Sequence, residues 1–261
     1  MPALDHKTVL VTGAAGGIGS AIARRCAEAG AAVVLTDLDT ERLTALAKDL
    51  GQAGHRVLSH TVDATDDTAM REVSQQAAAE FGSLDVVFAN AGIAAMASLE
   101  EITRDLFQRA FLVNTYSVLA AAKAAAEVMS GQENGGKIIN TCSIAGKTAY
   151  PGHTLYSATK FAVRSFTQGL AKELAGRRIT VNSICPGMID TTLWNPIAER
   201  MAKEGTVSSA DQALEAFSTD VLVGRPGTPD DLTGLALFLA SADSAYLNGQ
   251  CINVDGGLIF D

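Results

Sequence analysis

Short runs of β-branched and other apolar residues, separated each time by longer Ala- and Leu-rich stretches, restrict this chain to very few architectures. The runs fall at 7–12, 32–36, 56–61, 85–89, 137–141, 179–184 and 251–254, and the helical stretches at 17–29, 40–50, 66–81, 103–130, 154–175 and 229–241. Strand–helix–strand alternation predicts parallel βαβ units, because a parallel neighbour is reached only by a crossover long enough to hold a helix. The runs are apolar throughout, as suits strands covered by helices on both faces. The expected fold class is therefore α/β, a doubly wound parallel sheet of seven strands. No Pro/Ser linker, charge block or fixed-period repeat divides the chain, so residues 1–261 are expected to form a single domain. One interruption stands out, the polar stretch 188–220 carrying Trp194 and Asn195-Pro196. A plain strand-to-helix connection is far shorter, so this excursion reads as a substrate-binding lid.

Charge removes several classes of partner. Twenty Lys and Arg against 29 Asp and Glu give a net charge of −9, unsuited to a nucleic-acid backbone or an anionic membrane surface. The four cysteines, Cys26, Cys142, Cys185 and Cys251, are far apart in sequence, with no CxxC pair and no His at metal spacing. They read as reduced core residues, and no metal site is expected. The N-terminus lacks the apolar core of a signal peptide and no apolar run approaches a membrane span, so the expected location is the cytoplasm.

The first apolar run passes directly into Thr12-Gly13-Ala14-Ala15-Gly16-Gly17-Ile18-Gly19 and then into a helix. Such glycines let the backbone turn sharply and let a pyrophosphate approach the amides at the positive helix end. The spacing is not GxGxxG, and a tight turn in any α/β protein could use it. Eighteen residues beyond Gly19, Asp37 closes the second run, where a carboxylate can accept hydrogen bonds from ribose hydroxyls and repel a 2′-phosphate. Ala14, Ala15 and Leu38 offer no positive charge, which favours NAD over NADP. The alternative is that Asp37 is an ordinary turn residue beside Asp39, the expected N-cap of the next helix. Asp63-Ala64 and Asn90-Ala91-Gly92 close the third and fourth runs at the carboxyl edge, where ligands bind in such sheets. Asp63 could instead serve turn chemistry, and Asn90 could bridge neighbouring strands.

Tyr156 and Lys160 lie one helical turn apart, on one face. A free phenol titrates near 10, and a fixed cation beside it would draw that value towards neutrality. The plainer reading is two residues sharing an exposed helical face. Ser143, 13 residues before Tyr156 and just past the fifth run, shares the carboxyl edge and could hold a substrate oxygen. It fits neither GxSxG nor SxxK as a nucleophile. Asn114 interrupts the long stretch 103–130, where Asn is unfavourable, so it is either a functional break or a solvent-facing residue.

Together, Gly13-x3-Gly17-x-Gly19, Asn90-Ala91-Gly92, Asn114, Ser143, Tyr156-x3-Lys160, Pro186-Gly187 and Asp255-Gly256-Gly257 resemble the short-chain dehydrogenase/reductase family over essentially the whole chain. The resemblance implies a seven-stranded Rossmann sheet and a nicotinamide cofactor. It assigns Tyr156 as general acid/base, Lys160 as the group that lowers its pKa and binds the nicotinamide ribose, Ser143 as the substrate-orienting hydroxyl and Asn114 as holder of a proton-relay water. Cofactor contacts are then expected from Gly13, Gly17, Ile18, Gly19, Asp37, Asp63, Ala64, Asn90, Gly92, Tyr156, Lys160, Pro186, Gly187 and Thr191. Ala89 departs from the family's usual Asn-Asn-Ala-Gly run, which bears on strand-end packing near the adenine.

The stretches around Gly136–Asn140, Tyr156–Arg164, Cys185–Gly187 and Asp255–Phe260 resemble the branch of acetoin (2,3-butanediol) and sorbitol dehydrogenases. That implies a small polyol or vicinal diol as substrate, with His153, Thr154 and Asn195 placed to bind extra hydroxyls and Met188 and Trp194 as an apolar wall. Other readings are reduction of acyl chains on an acidic carrier protein, which the −9 charge opposes, a bulky steroid-like alcohol, and a noncatalytic NAD-sensing protein. The stretch 154–175 is apolar or small on more than one face, with Ala158, Ala162, Phe166 and Gly169 away from the side of Val163, Leu170 and Leu174. A homo-oligomer, a tetramer by family resemblance, is expected.

Overall fold

The computed structural model describes residues 3–192, 212 and 219–260. Its strands are β1 (Thr8–Thr12), β2 (Ala32–Asp37), β3 (Val57–Thr61), β4 (Val86–Ala89), β5 (Gly136–Thr141), β6 (Ile179–Pro186) and β7 (Cys251–Val254). They pair in parallel in the order β3-β2-β1-β4-β5-β6-β7. Chain direction across the sheet reverses between β1 and β4, so the crevice at their carboxyl ends is where such a sheet holds a ligand. The described helices are α1 (Gly17–Glu28), α2 (Thr40–Gln52), α3 (Asp67–Phe81), α4 (Arg104–Phe111), α5 (Ser117–Met129), α6 (Thr154–Leu174) and α7 (Pro229–Ala240).

Strand periodicity divides the interior between the two faces. Val9, Val11, Val33, Leu35, Val86 and Phe88 pack with Ile22 and Cys26 of α1, Leu43 and Leu50 of α2, and Leu232 and Leu239 of α7. The intervening Leu10, Val34, Val87 and Ala89 pack on the other face with Met70 of α3, Ala121 and Ala125 of α5, and Val163 and Leu174 of α6. Each strand therefore feeds two cores, which is why its sequence shows no polar alternation. Helix starts are fixed by side chains: Asp39 accepts from the Arg42 amide, Asp66 from Thr68 and Ala69, and Thr103 from Leu106.

The long helix expected over 103–130 is interrupted. A π-helical turn at Leu112–Tyr116 separates α4 from α5, and Asn114 lies in that turn. Single π turns inside helices frequently mark functional sites. Of the excursion at 188–220, residues 188–192, 212 and 219–220 are described. Ile189 bridges Gly227, with the Asp190 amide donating to the Gly227 carbonyl at 2.8 Å and the Gly227 amide to the Met188 carbonyl at 2.8 Å. Among the described residues no helix is long and apolar enough to cross a membrane.

Candidate active site

The glycine turn sits at the β1 end of the crevice. Gly13 has φ +64°, and a Cβ there would lie 2.9 Å from the Ala91 backbone. A Cβ on Gly19 would lie 2.2 Å from the Gly13 carbonyl oxygen, so the turn closes only without side chains at these positions. No acidic residue stands in the first turn of α1, and no side chain caps it. Amides at the positive end of a 12-residue helix are thus presented to an anion without a competing carboxylate in that turn. Thr191 closes over the turn, its Cγ2 3.0 Å from where a Gly17 Cβ would stand.

Asp37 ends β2 beside this turn. Its Oδ2 accepts from the Ala15 amide at 2.9 Å and its Oδ1 from the Asp39 amide at 3.0 Å. Each oxygen retains a second lone pair, so the carboxylate both fixes the turn and remains able to accept from ribose hydroxyls. Leu38 beside it is 67% exposed, and neither Ala14 nor Ala15 brings a cation. A glycine turn on an uncapped helix end, flanked by an acceptor carboxylate, fits an adenine dinucleotide.

Two strand-end residues carry local work. Asn90 donates from Nδ2 to the Thr12 and Gly13 carbonyls at 3.1 and 3.2 Å, and its Oδ1 accepts from Thr141 Oγ at 3.0 Å. This is the strand-bridging alternative: the side chain ties the glycine turn to β5. Thr12 completes the brace, its hydroxyl accepting from the Asn90 and Ala91 amides. Asp63 is exposed and accepts from the Thr65 amide and hydroxyl, both at 2.8 Å. That is an Asx-type turn leading into α3. Ile18 and Ala64 pack partly buried against the two cores. Ala89, the departure from the family run, is itself buried in the core below α5.

The four candidates for chemistry converge. A Cβ placed on Gly92 would meet Asn114 Oδ1 at 3.2 Å and Lys160 Nζ at 3.8 Å. Asn114 is fully buried, accepting from the Ile93 amide at 2.7 Å and donating to the Ile93 carbonyl at 3.0 Å and Thr159 Oγ at 3.3 Å. Both amide hydrogens are thereby used, so the side chain anchors the loop after β4. Asn114 Oδ1 accepts one bond and keeps a second lone pair to which a relay water could donate. Thr159 in turn donates to the Tyr156 carbonyl at 2.7 Å, which links the anchor to the first turn of α6.

Ser143 follows β5 and is nearly buried. Its Oγ accepts from the Ala145 amide at 3.1 Å, and its hydroxyl acts on Tyr156 in the sense that favours the phenolate. The same hydroxyl donates to the Pro186 carbonyl at a long 3.5 Å. Lys160 donates to the Thr141 carbonyl at 2.9 Å and lies 5.7 Å from the centre of the Tyr156 ring, with 4% of it exposed. Burial lowers its pKa below the usual lysine value. Burial also pushes the Tyr156 phenol up to about 12, with the neighbouring Ser143 hydroxyl acting in the opposite sense. The side chains alone therefore do not place the phenol near neutrality: the Lys160 ammonium is held by Thr141 and faces the ring, while desolvation dominates at the hydroxyl.

The outer positions are only partly described. Pro186 ends β6, and Gly187 packs so closely on Asp255 that a Cβ would lie 2.6 Å from the Asp255 Cβ. Met188 is buried behind the mouth. His153 precedes α6 with Nδ1 2.9 Å from the Pro151 carbonyl and its ring edge-on to Tyr150 at 6.2 Å. Trp194 and Asn195 lie outside the described residues. Among the described residues no group of His, Cys, Asp and Glu is arranged to hold a metal ion. Sequence reasoning passed over Thr12, Thr141 and Thr159, each of which carries a link of this network. Thr159, three residues after Tyr156 on the same helix, had a spacing signal; the other two act across strands and had none.

Comparison with known proteins agrees with this geometry. The family model described as enoyl-(acyl carrier protein) reductase matches residues 13–259. A diacetyl reductase [(S)-acetoin forming] of Staphylococcus epidermidis is 42% identical over 254 residues, covering 97% of this chain and 99% of that protein. A galactitol 2-dehydrogenase of Agrobacterium fabrum is 41% identical over 255 residues, covering 97% and 98%. Among solved structures, an NAD+-bound xylitol dehydrogenase superposes with TM-score 0.91 at 30% identity, covering 97% of this chain and 99% of that one. A gluconate 5-dehydrogenase of Burkholderia cenocepacia in complex with NADP and tartrate superposes with TM-score 0.86 at 35% identity, covering 98% and 96%. With the glycine turn, the Asn114, Ser143, Tyr156 and Lys160 cluster and these matches in place, the chain belongs to the short-chain dehydrogenase/reductase family of oxidoreductases.

Proposed function

We propose that this protein transfers a hydride between NAD(H) and a small polyol, vicinal diol or hydroxyketone. The observation that carries the reading is the meeting of Asn114 and Lys160 beside Gly92, with the buried Lys160 ammonium 5.7 Å from the centre of the Tyr156 ring and Ser143 just past β5, at the same sheet edge as the glycine turn and Asp37. A bound nicotinamide would supply the hydride acceptor and, when oxidised, a positive charge. The chain's own residues handle the proton and the alignment. Tyr156 Oη takes the proton of the alcohol, or returns it to a carbonyl oxygen in the reverse direction. Ser143 donates to the substrate oxygen and holds it beside the phenol, while the Ala145 amide keeps the serine oriented. Lys160 stabilises the phenolate as it forms and reaches the nicotinamide ribose. Asn114 holds the loop after β4 against α6, so that these groups keep their spacing.

NAD is favoured over NADP because the Asp37 carboxylate stands beside the glycine turn, where Ala14, Ala15 and Leu38 bring no cation. The cofactor contacts in this reading come from Gly13, Gly17, Ile18, Gly19, Asp63, Ala64, Asn90, Gly92, Pro186, Gly187 and Thr191 as well. The diacetyl reductase and galactitol dehydrogenase relatives support a small polar substrate. His153 is a proposed substrate contact together with Met188, Trp194 and Asn195 of the 188–220 excursion, all within one domain. The matched family model's description names an acyl-carrier reductase, but a chain of net charge −9 is a poor electrostatic match for an acidic carrier.

The test is NAD reduction over a panel of polyols, vicinal diols and hydroxyketones, with wild type against Tyr156→Phe. Wild type turns over at least one diol, and the variant loses about 10²–10⁴-fold in kcat, the usual worth of a positioned proton-transfer group. Tight NADH binding with no turnover of any alcohol or ketone would favour the sensing alternative. The reading also places the protein in the cytoplasm as a homotetramer. Phe161 on α6 is 42% exposed beside half-buried Ala162 and Phe166, an apolar face that a second copy would cover. Light scattering at micromolar concentration gives the assembly mass directly.

A further inference from the structure

The segment that leaves β6 at Pro186 and the segment that enters α7 at Pro229 are stitched together beside the glycine turn. The Gly227 amide donates to the Met188 carbonyl and the Asp190 amide to the Gly227 carbonyl, each at 2.8 Å, with Ile189 bridging Gly227 in parallel. The fit is tight: a Cβ on Gly227 would lie 2.6 Å from Ile189 Cδ1 and 3.2 Å from the Met188 carbonyl oxygen. Both segments also reach the start of α1. A Cβ on Gly17 would meet Thr191 Cγ2 at 3.0 Å and Pro229 Cγ at 3.6 Å, so the two stand on the same glycine. Further out, the Gly187 amide donates to the Val254 carbonyl at 3.0 Å and the Val223 amide to the Gly256 carbonyl at 3.1 Å, which fixes both segments to the end of β7.

One ion pair closes the segment before α7 into a ring. Arg225 donates from one guanidinium nitrogen to Asp231 Oδ2 and from another to Oδ1, both at 2.7 Å, and the first of these also donates to the Pro226 carbonyl at 2.9 Å. Asp231 Oδ2 accepts in addition from the Thr228 amide at 2.7 Å and from its hydroxyl at 2.9 Å. Thr228 and Asp231 thereby complete the capping box of α7 without Arg225. The guanidinium is surplus to starting the helix, and what it adds is a hold on residues 225–227. An exposed ion pair commonly contributes little, but this one is bidentate, on a carboxylate already fixed by the cap, and that geometry holds a position.

We propose that Arg225 and Asp231 are positioning residues for the cofactor: their ion pair holds Gly227 on Ile189, and through that bridge it seats Thr191 over the glycine turn. The proposal rests on the nucleotide reading above, in which Gly17 and Thr191 are cofactor contacts. Arg225 and Asp231 themselves act only through the bridge. Without the pair, Gly227 is free to lift from Ile189, Thr191 loses its seat on Gly17, and a bound nucleotide leaves faster. Ser143, Tyr156 and Lys160 are set by β5 and α6 and keep their places. Breaking the pair therefore weakens cofactor binding and spares the chemical step.

The experiment compares full-length wild type with Arg225→Met, Arg225→Lys, Gly227→Ala and the double variant Gly227→Ala/Ile189→Val. It reads the NADH dissociation constant by nicotinamide fluorescence, and amide hydrogen exchange of the protein without nucleotide. Arg225→Met weakens NADH binding about 3- to 10-fold and speeds exchange in the peptides carrying Asp190 and Gly227, while the peptides of β1 and β5 exchange as before and kcat does not fall. Arg225→Lys keeps the charge without the fork and lies between wild type and Arg225→Met. Gly227→Ala acts like Arg225→Met, because its Cβ meets Ile189 Cδ1, and Ile189→Val, which removes that methyl, restores binding. Unchanged NADH affinity in Arg225→Met, or faster exchange across the whole sheet along with the lost affinity, would overturn the proposal and leave the pair a structural one. A wild type that binds no NADH is a different failure: it refutes the nucleotide reading, and the proposal falls with it. Should Arg225→Met fail to fold, the lysine variant and the Gly227 variants carry the same test.

Discussion

Replacing Asp37 by Asn separates two jobs that one carboxylate performs. In the structure each carboxylate oxygen accepts one backbone amide, from Ala15 at 2.9 Å and from Asp39 at 3.0 Å. An asparagine has one acceptor oxygen, so one of those amides must face an NH2 group. The Asp39 amide is exposed and can turn to water, so the oxygen stays on Ala15 and the stability cost falls at the low end of the range, about 1 kcal/mol. For a chain of this size that lowers Tm by about 2–4 °C. The cofactor effect is electrostatic. A carboxylate and one extra phosphate charge about 5 Å apart repel by about 3 kcal/mol at an effective dielectric of about 20, and the half-exposed position with salt reduces this to about 1–3 kcal/mol. The ratio of kcat/KM for NAD to that for NADP should therefore fall about 5- to 150-fold, mainly through a gain with NADP. The assay measures both ratios below the melting transition, so that the small stability loss does not enter. An unchanged ratio, with the expected Tm drop, would show that Asp37 only builds the turn and does not choose the cofactor.

Gly19→Ala puts a Cβ 2.2 Å from the Gly13 carbonyl oxygen, so NADH binding followed by nicotinamide fluorescence should fall at least about tenfold while far-UV dichroism keeps its α/β shape. Asn114→Ala strands the Ile93 amide and carbonyl, and unfolding in urea should show a loss of about 2–4 kcal/mol together with a lower kcat. Tyr156 has its folded pKa raised from 10.0 to about 12, so its burial contributes stability that is fully present below pH 10 and is lost as pH rises from 10 towards 12. Tyr156→Phe should flatten that part of the stability curve and no other. Arg225 donates to both oxygens of Asp231 at 2.7 Å, and together with the Thr228 amide it holds that carboxyl below the usual range. Wild-type stability should therefore fall as acid protonates Asp231, an effect that Asp231→Asn removes from the pH profile.

How far the sequence reaches is visible in particular residues. Strands and helices were legible because apolar runs buried on two faces and Ala-rich amphipathic stretches are local signals, and Asp39 announced its own helix start. Tyr156 and Lys160 were legible because one helical turn fixes their relation. What was not legible depends on register between strands that no local pattern encodes. For Asn90 the sequence left open a ligand contact and a strand bridge, and the bridge is made to Thr12, Gly13 and Thr141, three residues brought to it by β1 and β5.

The phenol shows the same limit in its electrostatics and points to the remaining step. From i,i+4 spacing, Lys160 should draw the Tyr156 pKa down, but the folded chain places the ammonium on the Thr141 carbonyl and buries the hydroxyl, so desolvation wins. A base that works near neutrality then needs further stabilisation of its phenolate, and a bound oxidised nicotinamide would supply one positive charge. Under that reading the polypeptide keeps the phenol protonated until the nucleotide is seated, which ties proton abstraction to cofactor binding. The free enzyme and the oxidised-cofactor complex should accordingly differ in the pH at which the tyrosine ultraviolet difference signal appears. The complex should titrate lower, and Tyr156→Phe should abolish the difference. Identical titrations in the two states would mean that Lys160 and Ser143 set the phenol's pKa without help from the cofactor.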